Sequence, residues 1–456
     1  MTTYSGVHGK VFDVAIVGAG VLGVTIAYWL SQLYDCSIAI IDQEHEVAFH
    51  ASTRNTGVIH RPFYLNPETK KVFAASAELS YSMWQEMARK FDLPWRQVGT
   101  FEIAQIDDEI PTLEKYKSWG RDNGMAEDEV ELLEPAEVMA LEPEVRCRAA
   151  IHSRTDVSVD FGAFSRCVYL MAQNNGVRLL GGLSVESIST QKDGIQLLGF
   201  KRGGAIDNIA CKFMINTAGG CSIDIAHMLD VGKEYTDLHF RGDYWLVEEP
   251  FASRVTRNIY SVAKYAQFPF LDPHFVVRAD GTRQIGPNAA LVADPFAYEG
   301  LGRGIIGKLL ERPVGPKTRL FASSTFLSLV WTEWRSSVSK RAMCDRVRRF
   351  LPGITMSSLQ RRGLSGIRSS VISKDGFVPE AIQAEASHSF HVLNFNSPGA
   401  TGAPVFSAIV TRRMRESGAL DGLTERPRSG SMWDFEEVVR RLDQFPRSGG
   451  LRQDSR

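Results

Sequence analysis

Cysteine is sparse in this chain of 456 residues, which has six: Cys36, Cys147, Cys167, Cys211, Cys221 and Cys344. No two of them form a C-x-x-C pair, and no pair has the spacing of a zinc ligand set. The pattern therefore predicts neither a disulfide framework nor a metal site. It favours reduced, buried thiols and hence a cytoplasmic protein.

An excess of charge is also missing, since the formal net charge is -1 and the pI is about 6.8. Nothing in this balance indicates a nucleic-acid partner. No secretory signal opens the sequence. The longest apolar run, residues 11–30, contains Asp13 and several glycines, so a strand, a turn and a helix explain it better than a membrane span. We expect no transmembrane segment and leave a peripheral membrane contact open.

What the chain does contain is a motif at its start. Residues 11–17 have the pattern of a buried strand, and Gly18-Ala19-Gly20-Val21-Leu22-Gly23 follows at once and opens an apolar helix to about Leu33. A second apolar strand, residues 37–41, ends on Asp42. This is G-x-G-x-x-G in its required context, where glycines let the backbone approach a pyrophosphate and the acid accepts hydrogen bonds from ribose. The sequence therefore predicts a dinucleotide site.

Hydrophobic periodicity predicts the remaining elements. Helices are expected at 68–91, 110–142, 161–173, from about 222 to 229, within 325–350 and at 403–416, with one more possible at 432–442. Strands are expected at 95–104, 177–180, 183–188, 195–200, 211–216, 239–248, 259–263, 275–278, 283–285 and 389–396.

The predicted fold class is α/β for the nucleotide domain and α+β overall. The dinucleotide domain is expected to be Rossmann-like and discontinuous, comprising residues 1–90, 145–230 and 362–416. Residues 91–144 and 231–361 form a second, β-rich substrate domain. Residues 417–456 form a polar C-terminal tail with a disordered end.

The chain leaves the nucleotide domain after two strands and returns late with two Gly-rich turns, at residues 217–220 and 397–402. This long-range return suits FAD, whose flavin lies far from its adenine, better than NAD. A second G-x-G-x-x-G, residues 302–307, follows no buried strand and is rejected as a nucleotide site. Without a second fingerprint, we expect the substrate itself to reduce the flavin.

The sequence resembles the FAD-dependent oxidoreductases of the D-amino-acid-oxidase type, and most closely their L-2-hydroxyglutarate dehydrogenase/oxidase branch. The resemblance extends from Val11 to about Met414. It is carried by the first glycine motif, His50, and residues 54–60, 240–244, 269–271, His274, Arg278, 285–289, 366–368 and 397–401. Arg61-Pro62 departs from the usual continuation of that branch, and Asp42 stands where Glu is commoner.

The resemblance implies FAD as the cofactor and a set of residues around it. The implied cofactor-binding residues are Gly18, Gly20, Val21, Leu22, Gly23, Asp42, Gln43, Ser52, Arg54, Asn55, Thr56, Val185, Ala218, Gly219, Arg368, Pro398, Gly399, Ala400, Thr401 and Gly402. The backbone N–H groups of the last turn can stabilise negative charge on the reduced flavin. His50 raises the question of a covalent flavin link, and we favour non-covalent binding.

The implied catalytic residues are His60, His274, Arg368, Arg278 and Arg241. An alcohol proton needs a base, and either histidine can serve, so both remain candidates. The substrate carboxylate calls for an arginine fork, with Arg368 the first choice. A dicarboxylate calls for a second cation, which Arg61 or Lys264 could supply.

The predicted function is oxidation of a small 2-hydroxy acid, with L-2-hydroxyglutarate the first candidate. Oxidation of an amino or secondary amino acid on the same scaffold is one alternative, and a non-catalytic flavin-binding assembly protein is another. Oxygen, a quinone and a carrier protein all remain open as the electron acceptor.

Overall fold

The structure, a computed structural model, describes residues 10–202, 205–265, 268, 272–427 and 430–445. Its α-helices are α1 (Val21–Leu33), α2 (Lys71–Phe91), α3 (Ile110–Asp122), α4 (Pro135–Leu141), α5 (Phe161–Asn174), α6 (Ser222–His227), α7 (Ile305–Leu310), α8 (Val314–Phe321), α9 (Ser324–Val338), α10 (Lys340–Val347), α11 (Gly399–Glu416) and α12 (Phe435–Gln444).

The strands are β1 (Val11–Val17), β2 (Tyr34–Asp35), β3 (Ile38–Asp42), β4 (Val58–Ile59), β5 (Trp95–Gln97), β6 (Thr100–Ala104), β7 (Val130–Leu133), β8 (Ala149–Ser153), β9 (Val157–Val159), β10 (Arg178–Gly181), β11 (Ser187–Thr190), β12 (Gln196–Arg202), β13 (Ala205–Asn216), β14 (Thr236–Gly242), β15 (Trp245–Val247), β16 (Asn258–Ser261), β17 (His274–Val277), β18 (Arg283–Gly286), β19 (Ala290–Val292), β20 (Leu359–Arg362), β21 (Gly366–Ser373), β22 (Gly376–Phe377), β23 (Ile382–Ala386), β24 (Ser389–Leu393) and β25 (Thr424–Glu425).

The strands β10, β3, β1, β13 and β24 lie side by side and run parallel, so their carboxyl ends meet at one edge. The antiparallel strands β12, β11 and β23 extend this sheet. Helix α1 is apolar on all sides and packs in the same core as residues of α2, α5 and α11, which is why nearly all its residues are buried. The predicted α/β class is confirmed, and the open edge is where such sheets bind ligands.

A second eight-stranded sheet has the order β20-β15-β18-β17-β16-β6-β8-β7. One face packs on a core that includes Phe101, Ile259, Phe275 and Met343. Because side chains alternate along a strand, Glu102, Tyr260 and His274 belong to the opposite face. A four-stranded sheet, β19-β14-β21-β22, carries Arg368 on β21. Strand β8, assigned from sequence to the nucleotide domain, pairs with β6 and β7 of the second sheet.

Some expected elements differ in the structure. The helix expected over 110–142 is three elements, because α3 ends before Gly124, whose φ of 88° does not continue a helix, and β7 then pairs with β8. The strand expected over 95–104 is divided at Gly99, with φ 70°. The strand expected over 183–188 begins only at Ser187.

The tail is more integrated than its polar composition indicates. Trp433 forms edge contacts with Tyr28 and Trp84, with ring centroids 5.3 and 5.8 Å apart. Phe435 packs on Trp29, and the helix expected at 432–442 is present as α12. The described parts of the tail, residues 417–427 and 430–445, therefore pack on the core around α1. Residues 428–429 and 446–456 and the motif 269–271 lie outside the described residues.

Residues 302–307 do not form a second nucleotide turn. Gly304 immediately precedes the six-residue α7, and no strand is assigned from 293 to 304. In the described part of the chain, no helix combines the length and apolarity needed to cross a bilayer.

Candidate active site

One cleft opens at the carboxyl edge of the parallel strands, with an empty volume of about 1460 Å³ that includes space open to solvent. Fifteen sequence-predicted residues line it: Gly20, Val21, Leu22, Ser52, Arg54, Asn55, Thr56, His60, Gly219, His274, Arg368, Pro398, Gly399, Ala400 and Thr401. The others are not in its wall: Gly18, Gly23, Asp42, Gln43, Val185, Ala218, Gly402, Arg241 and Arg278.

Two helix N-termini point at this cleft. Gly20 precedes α1 and Pro398 precedes α11, and neither makes a side-chain capping hydrogen bond. The first N–H groups of a helix have no intrahelical partner, and the helix dipole adds partial positive charge there. Ser52 Oγ accepts from the Val21 N–H at 2.9 Å. The cleft can therefore receive a long ligand that is anionic in two separate places.

Gly18 and Gly23 shape the first turn from beneath the cleft wall. Gly18 has a φ of 109°, and a Cβ there would lie 2.4 Å from the carbonyl oxygen of Thr217. A Cβ on Gly23 would lie 2.0 Å from the carbonyl oxygen of Gly18. Only glycine fits either position, so these two residues determine the path of the backbone that lines the cleft.

Asp42 lies directly behind the turn. Its Oδ2 accepts from the Ala19 N–H at 2.7 Å and its Oδ1 from the Glu44 N–H at 2.9 Å. Burial raises the pKa of Asp42, while these two backbone hydrogen bonds oppose the rise. A carboxylate has four lone-pair sites, so it can accept a ribose hydroxyl as well. Neighbouring Gln43 instead places its side-chain amide 3.0 Å from His50 Nε2.

Three other predicted cofactor residues have packing roles. A Cβ on Gly402 would lie 2.7 Å from the Cβ of Ser76, so this glycine allows α11 to approach α2 closely. Val185 and Ala218 pack against the hydrophobic cluster on the other side of the sheet. In the structure these three residues therefore make packing contacts and are not part of the cleft wall.

His60 lies in the cleft wall with Asp156 behind it. Nδ1 of His60 is 3.2 Å from Oδ2 of Asp156, and that carboxylate is fully buried. Asp156 also accepts from Ser153 Oγ at 2.6 Å, Thr100 Oγ1 at 2.8 Å and the Arg61 N–H at 3.2 Å. These donors keep the carboxylate in place, and a proton on Nδ1 leaves Nε2 of His60 as the acceptor.

His274 lies beside this pair and stacks on Tyr260, with ring centroids 3.9 Å apart. The Nδ1 of His274 is buried and makes no hydrogen bond within the described residues, while the Tyr260 hydroxyl lies beside the Thr56 side chain. Burial lowers the pKa of His274 well below its ordinary value, and nearby His60 and Arg368 lower it further. His274 is therefore a neutral imidazole that can exchange a hydrogen bond with a ligand.

Arg368 supplies positive charge to the same cleft from strand β21. Burial lowers the pKa of Arg368, and Tyr244 and Tyr64 oppose that change. Burial also raises the pKa of Tyr244 to about 12, so its phenol stays neutral. An arginine beside neutral phenols and imidazoles is suited to bind a carboxylate.

The other two predicted arginines are engaged elsewhere. Arg278 donates from Nη1 to the carbonyl oxygen of Asn55 and so supports the loop that lines the cleft. Arg241 pairs with Asp243 at 2.9 Å and donates to the carbonyl oxygens of Ala297 and Gly300. In this geometry the Arg241 guanidinium is paired outside the cleft wall, and Arg278 supports the loop that lines the cleft.

The two residues considered as a second cation, Arg61 and Lys264, are both absent from the cleft wall. Arg61 is buried and its guanidinium pairs with Glu78 at 2.7 Å and Glu129 at 2.9 Å, with the Tyr81 ring 4.5 Å away. These partners compensate its charge, so it fastens the His60 segment to α2. Lys264 is exposed beside Tyr265 and lies outside the cleft wall.

Both ring nitrogens of His50 have partners in the protein. Nδ1 lies 2.8 Å from the Tyr298 hydroxyl, and Nε2 lies 3.0 Å from Glu44 Oε1. His50 is absent from the cleft wall. These contacts agree with non-covalent cofactor binding, which stays a prediction.

Sequence reasoning missed Asp156 and Glu102. Asp156 is 96 positions from His60, and no local motif relates them. Glu102 is partly buried on the sheet face that carries Tyr260, and burial raises its pKa to about 8, with Asp156 and Glu109 adding to the effect. Glu102 alternates with Phe101 and Ile103 of the core face, so it looks like an ordinary polar position of a strand, and no signal in the sequence indicated its burial.

The residues present fit FAD. The turn from Gly20 to Leu22 suits a pyrophosphate, Asp42 suits a ribose, and the α11 N-terminus suits a flavin ring that gains negative charge. The buried Nδ1 of His274, which has no hydrogen-bond partner among the described residues, remains for a substrate or the ring edge. The cleft wall contains both ends of such a cofactor's site.

Comparisons with known proteins agree with this geometry. A family model described as FAD dependent oxidoreductase (DAO) matches residues 13–413. Human mitochondrial L-2-hydroxyglutarate dehydrogenase is 27% identical over 421 residues, covering 89% of each chain. L-2-hydroxyglutarate dehydrogenase of Indibacter alkaliphilus is 28% identical over 399 residues, covering 86% of this chain and 96% of its own.

Solved structures show the same fold. L-alpha-glycerophosphate oxidase from Mycoplasma pneumoniae with FAD bound has a TM-score of 0.71 at 22% identity, covering 92% of this chain and 97% of its own. Glycine oxidase from Geobacillus kaustophilus has a TM-score of 0.65 at 16% identity, covering 92% and 99%.

Proposed function

The chain belongs to the family of FAD-dependent oxidoreductases, and from that premise we propose that it oxidises a small 2-hydroxy acid to the 2-oxo acid, with L-2-hydroxyglutarate as the first candidate. Two relatives bear the name of that dehydrogenase, at 27% and 28% identity. Bound FAD would supply the acceptor for the hydride, which carries two electrons away from the substrate Cα.

The hydroxyl proton must leave in the same overall reaction, because an alcohol becomes a carbonyl. Nε2 of His60 accepts this proton, and Asp156 stabilises the imidazolium that results. Neutral His274, beside His60, orients the hydroxyl through a hydrogen bond. The arrangement favours an alcohol over an amine, since a neutral amine needs no base.

Arg368 binds the substrate carboxylate with its planar guanidinium. The low polarity around Tyr244 and Tyr260 strengthens this charge interaction and excludes water from the reacting carbon. For a dicarboxylate, the paired guanidinium of Arg61 and the position of Lys264 outside the cleft wall do not support either residue as the second cation.

The single observation that carries the proposal is the convergence of the His60–Asp156 pair, His274 and Arg368 on one cleft. The test is anaerobic bleaching of the flavin band, near about 450 nm, with L-2-hydroxyglutarate, other 2-hydroxy acids and amino acids. We expect rapid bleaching by a 2-hydroxy acid in wild type and slow bleaching in His60→Asn. Bleaching by amino acids alone, unaffected in His60→Asn, would assign amine oxidation instead.

We also propose a cytoplasmic location. All six cysteines are unpaired, as expected for a protein in a reducing compartment. The same preparation also tests the electron acceptor. The reduced enzyme is mixed with oxygen, a soluble quinone or a carrier protein, and the rate of flavin reoxidation is measured.

A further inference from the structure

Helix α9 exposes a row of large apolar side chains. Leu327, Trp331, Trp334 and Val338 are 47, 59, 38 and 59% exposed. Their spacing of four, three and four residues places them within a narrow arc of one helix face, in a row about 16 Å long. We call these four residues the α9 ridge.

The two tryptophans of the ridge stack on each other, with ring centroids 5.4 Å apart and planes at 25°. Helix α7 also exposes two apolar side chains, since Ile306 and Leu310, one turn apart, are 71 and 64% exposed. A contiguous apolar row such as the α9 ridge marks an interaction site rather than ordinary surface.

The segment that carries this apolar surface is rich in basic residues. Residues 301–350 contain eleven lysines and arginines and three acids, in a chain whose net charge is -1. Arg303 and Arg312 flank α7 and are exposed, as are Arg335 and Arg341 around the end of α9. The acid of α9, Glu333, is 2% exposed and pairs with Arg346 at 2.9 Å, so it contributes little negative charge outside.

The inner face of α9 is fixed against the cleft, which prevents the ridge from turning inward. Glu333 Oε2 accepts from the Ala289 N–H at 2.8 Å, and Asn288 donates to the carbonyl oxygen of Glu333. Both Asn288 and Ala289 line the cleft. Phe326 of α9 is buried in a cluster with Leu238 and Phe240.

We propose that the α9 ridge docks the enzyme on an anionic lipid surface, with Trp331 and Trp334 inserted among the headgroups and the arginines bound to them. Amphipathic helices with tryptophan on one face and basic residues beside it bind membranes in this way. This goes beyond the proposed oxidation and does not depend on it.

The area of the ridge favours lipid over a second copy of this chain. Its four side chains expose on the order of 400 Å² of mostly apolar surface. A stable protein–protein interface needs about 800 Å² from each partner and complementary shape. Insertion of the α9 ridge into a layer of anionic headgroups requires neither a large buried area nor a complementary protein surface.

The test is co-sedimentation of the FAD-loaded enzyme with vesicles of equal parts phosphatidylcholine and phosphatidylglycerol, and with phosphatidylcholine alone. We expect binding to the anionic vesicles only. Trp331→Ser/Trp334→Ser weakens binding about tenfold or more. Arg335→Gln/Arg341→Gln weakens it roughly thirtyfold and removes most of its salt dependence. All variants keep their flavin spectrum and turnover with a soluble dye.

The matched control is Leu170→Ser, which removes a 55% exposed apolar side chain from α5, away from the ridge. It leaves vesicle binding unchanged. The proposal is overturned if wild type does not bind anionic vesicles, or if the double tryptophan variant binds as tightly as wild type. A wild-type dimer that this variant converts to monomer, without vesicle binding, assigns the ridge to a second copy and also overturns it.

Discussion

Nδ1 of His60 lies 3.2 Å from Oδ2 of Asp156, in a carboxylate that is itself fully buried. This contact orients the His60 ring, because the carboxylate holds Nδ1 and leaves Nε2 facing the cleft. We therefore regard Asp156 as a positioning residue that acts through His60.

The first prediction concerns this pair. His60→Asn should slow flavin reduction by a 2-hydroxy acid about 10²- to 10⁴-fold, the range of general-base catalysis. Asp156→Asn should lower kcat strongly, leave KM little changed and shift the pH profile of kcat. Stopped-flow absorbance measures both. Ser153→Ala is the control, since it removes one donor to Asp156 and leaves the His60 contact; an equal loss in that variant would mean a merely structural role.

The second prediction concerns Arg368. Arg368→Gln should raise KM for the 2-hydroxy acid about 10- to 100-fold, because a charge-assisted bidentate contact is lost. Arg368→Lys should restore only part of the affinity, since an ammonium cannot form a fork. Steady-state kinetics on holoenzyme measure this. Exposed Arg361→Gln is the control, and an unchanged KM in Arg368→Gln would remove the carboxylate assignment.

The third prediction separates the two glycine motifs. Gly23→Ala should abolish FAD binding, because its Cβ would lie 2.0 Å from the Gly18 carbonyl oxygen. Gly307→Ala, in the rejected motif, has no atom within 4 Å of the new Cβ and should bind FAD normally. The flavin content of the two purified variants, measured by absorbance, tests this prediction. Retention of FAD in Gly23→Ala would show that the first turn can relax.

The fourth prediction concerns pH and Glu102. Its pKa rises from 4.5 to about 8 on folding, mainly through burial. A carboxyl whose pKa is higher in the folded than in the unfolded state makes its full contribution to the free energy of unfolding below pH 4.5. That contribution is lost as the pH rises through about 8. The side chain introduced in the Glu102→Gln variant is neutral at every pH. The variant should therefore have the same free energy of unfolding as wild type at low pH, and a higher one, by a few kcal/mol, above pH 8.

Urea unfolding over a series of pH values measures this difference. Asp107→Asn is the control, since that carboxylate is 75% exposed and its removal should leave the pH dependence unchanged. Parallel curves for wild type and Glu102→Gln would contradict the prediction.

The fifth prediction concerns Arg61. Arg61→Met should reduce the free energy of unfolding by about 3 kcal/mol, because Glu78 and Glu129 lose their partner. Part of the lost free energy of unfolding should be recovered in the triple variant Arg61→Met/Glu78→Gln/Glu129→Gln, which also neutralises the two carboxylates. KM for the 2-hydroxy acid should change less than about twofold, since the guanidinium is already paired. A large KM increase at unchanged stability would restore Arg61 as a substrate-binding cation.

Much of the fold was predictable because its signals are local. The turn at Gly18–Gly23 lies within one stretch of sequence, and β1, α1 and β3 follow from apolar runs of the right length. Strand β7 was missed, because its short run lies in an acidic segment whose composition favours helix, and only pairing with β8 decides its conformation.

The sequence by itself determined the dinucleotide turn, the α/β class and fifteen of the residues that line the cleft. Only the tertiary structure decided that Asp156 orients His60, that Arg61 and Arg241 are neutralised away from the cleft, and that Trp433 fastens the tail to Tyr28. The physical reason is that periodicity and turn chemistry act between neighbours in the chain. Which charges meet, and which are left facing a ligand, depends instead on how separate segments pack in three dimensions, as with His60 and Asp156, 96 positions apart.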